Sequence, residues 1–169
     1  MTASQGDLAL LQDPVAQSLL NGQTIMRLAY TRTDGTPRVI PHWFHWNGRE
    51  VVLGTPPDAP KVRALQANPQ VALTIDTTEI PPRVLLIRGA AAVEIVDGAP
   101  PEYAETARRY YGEKQGEAWV KQIVTLCPQM ARVAITPTWV GILDFSPGDD
   151  ARLPSAVARA IERSKASTG

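Results

Sequence analysis

Short apolar segments separated by tight-turn dipeptides dominate the first half of this 169-residue chain. Residues 25–31, 39–46 and 50–54 have the length and apolar content of β-strands. The dipeptides Asp34-Gly35 and Asn47-Gly48 separate them, and both are typical of two-residue hairpin turns. The pattern therefore predicts three strands in an antiparallel meander.

Strands and helices alternate through the rest of the chain. The strand-like segments are 71–75, 83–96 and a last one over 132–145 that bends at Pro137. Small residues from Gly89 onward, at the centre of the second segment, suit a bend or a close approach of another backbone. Helices are predicted over residues 14–20, 61–67, 101–111, 117–126 and 154–165.

About six antiparallel strands with flanking helices predict a mainly β fold, a small closed or partly closed barrel. Closure protects the edges of the outer strands, which otherwise expose unpaired backbone groups. We expect a single domain over residues 1–169, with the barrel over about 24–145 and a C-terminal helix over about 153–166.

Composition and charge narrow the function classes. The chain has 17 basic and 17 acidic residues, so it lacks the positive charge expected of a general nucleic-acid binder. Cys127 is the sole cysteine, which excludes an intramolecular disulfide and a cysteine-rich metal site. Because we see neither a secretory leader nor an apolar stretch of the roughly 18 residues that a membrane helix needs, we expect a cytoplasmic protein without a membrane partner.

Common catalytic motifs are absent, and the titratable side chains identify no catalytic residue. The sequence contains no dinucleotide glycine fingerprint, phosphate loop or serine elbow. His42 and His45 lie three positions apart, so on a strand they point to opposite faces and should not share a metal ion. Cys127 has no neighbouring histidine or cation, which favours a buried structural thiol over a nucleophile.

The most unusual segment is Pro41-His42-Trp43-Phe44-His45-Trp46. One interpretation is an aromatic core strand that begins at a sheet edge. The other is a platform for a flat conjugated ligand such as an isoalloxazine ring, which needs stacking on one face and hydrogen bonds at its edge. The residues alone favour neither interpretation.

A second candidate is the loop that joins Thr55 to Lys61. A strand ends at Thr55, and Lys61 opens the next helix, so a hydroxyl, an ammonium group and free backbone amides come together. Arg38 on the adjacent strand can add a second positive charge. Together they suit a phosphate group, although a solvated lysine after a turn is the simpler interpretation.

Taken in order, these segments resemble the split-barrel flavin family that includes pyridoxamine-phosphate oxidases and flavin/deazaflavin oxidoreductases. The matching pieces are Arg27-Leu-Ala-Tyr, Asp34-Gly-Thr-Pro, Arg38-Val-Ile-Pro-His-Trp-Phe-His-Trp, Thr55 with Lys61, Leu65 with Asn68-Pro69, Val71-Ala-Leu-Thr-Ile and Arg88-Gly89-Ala90. They span roughly residues 25–93, about two fifths of the chain.

The resemblance implies a six-stranded antiparallel split β-barrel that works as a homodimer, with FMN in the groove between subunits. It assigns the cofactor phosphate to Arg38, Thr55 and Lys61. The residues that it places along the flavin ring are Pro41, His42, Trp43 and Phe44, with Trp139 covering the ring from the partner subunit. Pro60 departs from the basic or hydroxyl residue that many members carry before the lysine. The C-terminal motif that binds vitamin B6 is not visible.

The expected function is therefore hydride transfer through FMN to or from an unidentified small-molecule substrate. Fully buried Trp43 and Phe44 would make the surroundings of the ring apolar. One alternative is a reductase that uses coenzyme F-420, a deazaflavin. A second is a non-enzymatic flavin or tetrapyrrole carrier with His42 or His45 as ligand. A third is a dimer that has lost its cofactor. The departure from the family pattern at Pro60 supports this third alternative.

Overall fold

The hairpin signals and apolar segments form one antiparallel sheet of seven strands in the computed structural model, which describes residues 4–148 and 152–166. The strands are β1 Met26–Thr31, β2 Pro37–His42, β3 His45–Trp46, β4 Val51–Thr55, β5 Gln70–Asp76, β6 Arg83–Asp97 and β7 Gln129–Asp144. A 3-10 helix, Leu8–Gln12, precedes the α-helices α1 Pro14–Asn21, α2 Pro60–Ala67, α3 Pro101–Tyr111, α4 Glu113–Leu126 and α5 Ser155–Ala166.

The two edges of the sheet are consecutive in the chain. The strand order is β2-β1-β5-β6-β7-β4-β3, and each neighbouring pair is antiparallel. Only Trp43 and Phe44 separate β2 from β3, so the sheet curls until its edges come close, without hydrogen bonds that close the ring. The mainly β fold with flanking helices is confirmed.

The predicted single strand over residues 39–46 is wrong, and with it the count of six strands. His42 is the last residue that pairs with β1, whereas His45 pairs with Val52 of β4. The chain thus leaves one ladder and joins another within two residues. Phe44 turns into the hydrophobic core there and is 0% exposed. Burial of the Phe44 ring stabilises this interruption between β2 and β3.

Two long strands, β6 and β7, form the centre of the sheet. A bulge at Arg88 and Gly89 brings the two backbones together, and a Cβ on Gly89 would lie 2.4 Å from the Thr136 carbonyl oxygen. The predicted close approach at Gly89 is therefore confirmed. The predicted bend also occurs here, because Gly89 pairs with Pro137 while Arg88 pairs with Trp139.

A helical hairpin of α3 and α4 covers the end of β4. The helices pack so closely that a Cβ on Gly116 would lie 2.7 Å from the Arg108 backbone nitrogen. Glu102 at the start of α3 accepts hydrogen bonds from the Arg132 guanidinium of β7, at 2.5 and 3.1 Å. This partly buried ion pair lowers the pKa of the Glu102 carboxyl. The hairpin is thereby fixed over the sheet.

The last helix, α5, leaves an apolar face uncovered. Val157 and Ile161, one turn apart, are 44% and 41% exposed. The prediction that both lie on one face of a tail helix agrees with this helix and its bounds. Within residues 4–148 and 152–166, none of the helices has the length and the apolar content that a membrane span needs.

Candidate functional site

An apolar pocket of about 390 Å³ lies between the helical hairpin and the ends of β2 and β4. We call it the apolar pocket. Its lining residues are Ile25, Pro41, His42, Trp43, Gly54, Thr55, Pro56, Tyr103, Ile123 and Met130. Its volume is in the range of small-molecule sites, which are mostly apolar with a few polar groups. None of these ten residues contributes a charged side chain at neutral pH, given the state of His42 described below.

Tyr103 forms one wall of the apolar pocket. It faces Gly54 of β4, which has no side chain, so the phenol ring can lie close to the strand. A Cβ on Gly54 would lie 2.8 Å from Cδ2 of Tyr103, so the phenol ring rests directly on the strand backbone. The Trp119 indole Nε1–H donates to the Tyr103 hydroxyl at 2.9 Å. Burial raises the pKa of Tyr103, while this hydrogen bond opposes the rise. The phenol therefore keeps its own proton at neutral pH.

Trp43 belongs to an aromatic cluster with the helical hairpin. Its ring stacks on Tyr110 with centroids 5.2 Å apart and an interplanar angle of 11°. Tyr111 and Trp119 meet it edge-on, at 5.1 and 6.4 Å. Trp43 is half-buried rather than fully buried, which corrects the sequence expectation. One ring face is occupied by Tyr110, so Trp43 contributes a fixed wall to the pocket.

His42 is neutral and has a defined proton. Its Nδ1 lies 2.7 Å from the Trp43 carbonyl oxygen, which can only accept, so Nδ1 carries the hydrogen. Burial lowers the pKa of His42, and the positive charge of Lys61 lowers it further, against the effect of this hydrogen bond. At neutral pH Nε2 is therefore left as an acceptor.

A second pocket, of about 290 Å³, lies beside the first and has the opposite character. We call it the cationic pocket; it is lined by Tyr30, Arg32, Arg38, Ile40, Pro60 and Lys61. Lys61 is half-buried, and burial lowers the pKa of its ammonium group. Neither Lys61 nor Arg38 makes an ion pair with any residue in the described part of the chain. A half-buried ammonium group without an ion pair, next to the exposed guanidinium of Arg38, suits an anionic ligand.

The two pockets share strand β2. Ile40 lines the cationic pocket and the next residue, Pro41, lines the apolar one. Thr55, 3% exposed, lies in the apolar pocket, five residues before the start of α2, which carries Lys61. The structure thus distributes Arg38, Pro41, His42, Trp43, Thr55 and Lys61 over two adjacent pockets.

Phe44 and Trp139 lie elsewhere. Phe44 is in the hydrophobic core, with the Arg109 guanidinium over its ring, and has no surface for a ligand. Trp139 lies nine positions beyond Met130 on β7, up to about 30 Å at 3.3 Å per residue. It packs against Gly6, and the Arg88 guanidinium lies 4.5 Å from its ring centroid. Within one chain, Trp139 does not line either pocket.

His45 faces a different environment from His42. Its Nδ1 lies 3.3 Å from Nη2 of Arg109, and both residues line a polar pocket with Asn21, Glu105, Arg108 and Glu113. Burial and the Arg109 charge lower the pKa of His45. In the described part of the chain, no group of three or more potential ligand side chains is placed to bind a metal ion.

Sequence reasoning missed the contribution of the helical hairpin. Tyr103 and Ile123 line the apolar pocket, and Trp119 anchors Tyr103. A usable signal was present, since four aromatic residues fall within residues 101–126: Tyr103, Tyr110, Tyr111 and Trp119. Their concentration on two helices indicates a buried aromatic contact, although it does not identify β2 and β4 as the partners.

The comparisons with known proteins agree with this architecture. The family model for pyridoxamine 5'-phosphate oxidase matches residues 13–143. The comparison with curated proteins gives no significant match. A solved structure described as an F-420 reductase is 26% identical, with a TM-score of 0.56; the alignment covers 74% of this chain and 94% of that one.

More distant structures share the fold alone. A conserved hypothetical protein from Mycobacterium tuberculosis has a TM-score of 0.64 at 17% identity, covering 89% of this chain and 98% of that one. The heme storage protein HutZ from Vibrio cholerae has a TM-score of 0.57 at 18% identity, covering 77% and 93%.

Proposed function

This chain belongs to the pyridoxamine 5'-phosphate oxidase family, and we propose that it is an oxidoreductase that binds FMN and transfers hydride to or from a small molecule. The observation that carries the proposal is the cationic pocket beside β2. Lys61 and Arg38 line it without an ion pair among the described residues, and the phosphate of FMN supplies the missing negative charge.

Strand β2 offers the hydrogen-bonding groups that a flavin ring needs. It pairs only with β1 in the described part of the sheet, so one row of its backbone N–H and C=O groups is free. A ligand with its phosphate near Lys61 lies along this free edge at Ile40 and Pro41. Pro41 has no backbone N–H, so at that residue the strand edge offers the ring a carbonyl acceptor and no donor.

The residues of this chain bind and orient the ring and exclude water. When bound, the flavin supplies the hydride chemistry itself. His42 is neutral and presents an acceptor at Nε2, whereas Tyr103 keeps a phenolic proton that it can donate. No residue is assigned as a general base.

Coenzyme F-420 is the second candidate cofactor. It also combines a flat ring with an anionic tail, so it satisfies the same pair of pockets. The similarity to the F-420 reductase, at 26% identity over 74% of this chain, specifically supports it. Lys61 would bind the anionic group of either cofactor.

We further propose a homodimer. The apolar face of α5 and the exposed edge strand β2, where Val39 is 62% exposed, are surfaces that a second copy can cover. Trp139 lines neither pocket of its own chain, so any contact with the ring comes from the partner copy.

The proposal is tested by comparing the binding of FMN, which carries a phosphate, with that of riboflavin, which has the same ring without the phosphate. Lys61→Ala should weaken FMN binding by about tenfold or more, the loss of one charge-assisted contact, and leave riboflavin binding nearly unchanged. Lys114→Ala, on the exposed side of α4, is the matched control and should change neither affinity. Equal weakening of FMN and riboflavin by Lys61→Ala would contradict a phosphate role.

A further inference from the structure

A third pocket, of about 320 Å³, lies where α1, β3 and the helical hairpin meet. We call it the polar pocket; its lining residues are Asn21, His45, Glu105, Arg108, Arg109 and Glu113. It shares no lining residue with the apolar or the cationic pocket, so the cofactor proposed above does not occupy it. We propose that the polar pocket binds a zwitterionic α-amino acid with an uncharged polar side chain.

The Arg109 guanidinium forms the positive side of the polar pocket. It is half-buried, and its Nη atoms donate to the Leu20 and Gly22 carbonyl oxygens and to His45 Nδ1, at 3.5, 3.1 and 3.3 Å. These three acceptors are neutral, and no carboxylate in the described part of the chain forms an ion pair with Arg109. The positive charge is therefore uncompensated, and the remaining N–H groups can donate to an anionic group.

His45 adds a second donor beside the guanidinium. An arginine N–H can only donate, so His45 Nδ1 is the acceptor in its contact with Arg109. Burial and the Arg109 charge lower the pKa of His45, so at neutral pH the ring carries one hydrogen, and that hydrogen is on Nε2. A ligand carboxylate can accept one hydrogen bond from Nε2 and another from the guanidinium.

Glu105 and Glu113 form the negative side and flank Arg108. The Glu105 carboxylate accepts a hydrogen bond from the Arg108 guanidinium, and a Glu113 oxygen lies 3.8 Å from Arg108 Nε. Two carboxylates around one guanidinium leave an excess of negative charge, which suits an ammonium group. The Asn21 amide nitrogen donates to Gln17, so the Asn21 side-chain oxygen is left as an acceptor for an uncharged polar side chain.

Separation of charge within the polar pocket favours a zwitterion over a simple ion. The two guanidinium groups and two carboxylates of the lining cancel in total charge. An anion that reaches Arg109 also meets the two carboxylates, whereas a cation meets the uncompensated guanidinium. An α-amino acid carries both charges close together and gains attraction from each side. Because all six lining side chains are polar, a polar ligand side chain can keep its hydrogen bonds there.

Three ligands of similar size test the proposal by isothermal titration calorimetry at neutral pH. L-Glutamine is the zwitterion, L-glutaminamide has an amide in place of the α-carboxylate, and N-acetyl-L-glutamine has an amide in place of the ammonium group. L-Glutamine should bind at one site per chain, and each derivative should bind at least about tenfold more weakly, the loss of one charge-assisted hydrogen bond. Equal affinities for the three ligands, or no saturable binding of L-glutamine, would overturn the proposal.

Two variants locate the two ends of the ligand. His45→Phe removes the Nε2 donor, so it should weaken L-glutamine about tenfold and leave L-glutaminamide, which has no carboxylate, nearly unchanged. Glu105→Gln removes the excess negative charge, so it should weaken L-glutamine about tenfold and leave N-acetyl-L-glutamine, which has no ammonium group, nearly unchanged.

Glu117→Gln is the matched control for Glu105→Gln. It makes the same change at an exposed position of α4 that does not line the polar pocket, and it should leave all three affinities unchanged. If His45→Phe or Glu105→Gln weakens the three ligands equally, the pocket does not recognise the two charges and the proposal is wrong. The titrations need no cofactor, so their outcome is independent of the proposed function.

Discussion

The Trp43 indole lies parallel to the Tyr110 phenol, with ring centroids 5.2 Å apart and an angle of 11° between the planes. This contact joins the break between β2 and β3 to helix α3. The Tyr110 hydroxyl donates in turn to the Thr24 carbonyl oxygen, just before β1. Three segments that are distant in sequence are thereby held together at one wall of the apolar pocket.

Removal of the indole should affect both the pocket and the fold. Trp43→Ala is expected to lower the free energy of unfolding by about 2–4 kcal/mol, because a half-buried ring and three aromatic contacts are lost. FMN affinity should fall as well, measured under conditions where circular dichroism shows the variant to be folded. Unchanged FMN affinity in the folded variant would remove Trp43 from the site.

The contact between Gly54 and Tyr103 should be visible as coupling between the two positions. Gly54→Ala places a methyl group 2.8 Å from Cδ2 of Tyr103, so the ring must move, at a cost of about 1–3 kcal/mol in the free energy of unfolding. In a Tyr103→Ala background the same methyl group has room, and its cost should be small. Denaturant unfolding of the four proteins measures the coupling; an additive cycle would contradict the close contact.

The ion pair between Glu102 and Arg132 should make stability depend on pH. Since folding lowers the pKa of Glu102 below its ordinary value of 4.5, the stabilisation is present above pH 4.5 and is lost as the pH falls through the lower folded value. Glu102→Gln should therefore reduce the free energy of unfolding by about 1–2 kcal/mol at pH 7. The difference should shrink in acid.

Glu105 provides the control for this pH dependence. Its ion pair with Arg108 has a half-exposed carboxylate, so Glu105→Gln should change stability by less than about 0.5 kcal/mol at any pH. A Glu102→Gln deficit that persists unchanged at pH 3 would show that the carboxylate charge is not its cause.

Self-association should depend on the apolar face of α5. The wild-type chain is expected to sediment with twice the mass of the 18.3 kDa chain. Val157→Lys/Ile161→Lys should shift the equilibrium toward the monomer, because two exposed apolar side chains of the proposed interface become charged. Glu162→Lys changes the net charge by the same two units on the same helix and should leave the dimer intact. A wild-type monomer would contradict the interfacial role proposed for Trp139.

Local sequence signals predicted most of the fold. The dipeptides Asp34-Gly35 and Asn47-Gly48 correctly separate strands, and the small residue Gly89 correctly marks a close approach. Each of these features depends on the backbone geometry of one or two residues, and the identity of those residues is read directly from the sequence. The break at Trp43 and Phe44 was missed because the aromatic run continues the strand pattern, and only the two different strand partners reveal the change.

The candidate site was only half visible in the sequence. Lys61 was recognised by its charge and its place after a loop, and Arg38 by its charge on the adjacent strand; both line one pocket. The role of Tyr103 depends on its helix folding back onto Gly54, a contact between residues 49 positions apart that no local pattern encodes. Phe44 looked like its aromatic neighbours, yet its burial in the core depends on the curl of the whole sheet.

A visible absorbance titration of the purified protein, first with FMN and then with coenzyme F-420, tests the proposed function most directly. We expect saturable binding of one of them with one cofactor per chain, accompanied by a shift of the ring absorbance on entering a partly apolar site. A protein that binds neither cofactor at concentrations well above that of the protein would contradict it. A Soret band after addition of haem would then identify a tetrapyrrole carrier instead.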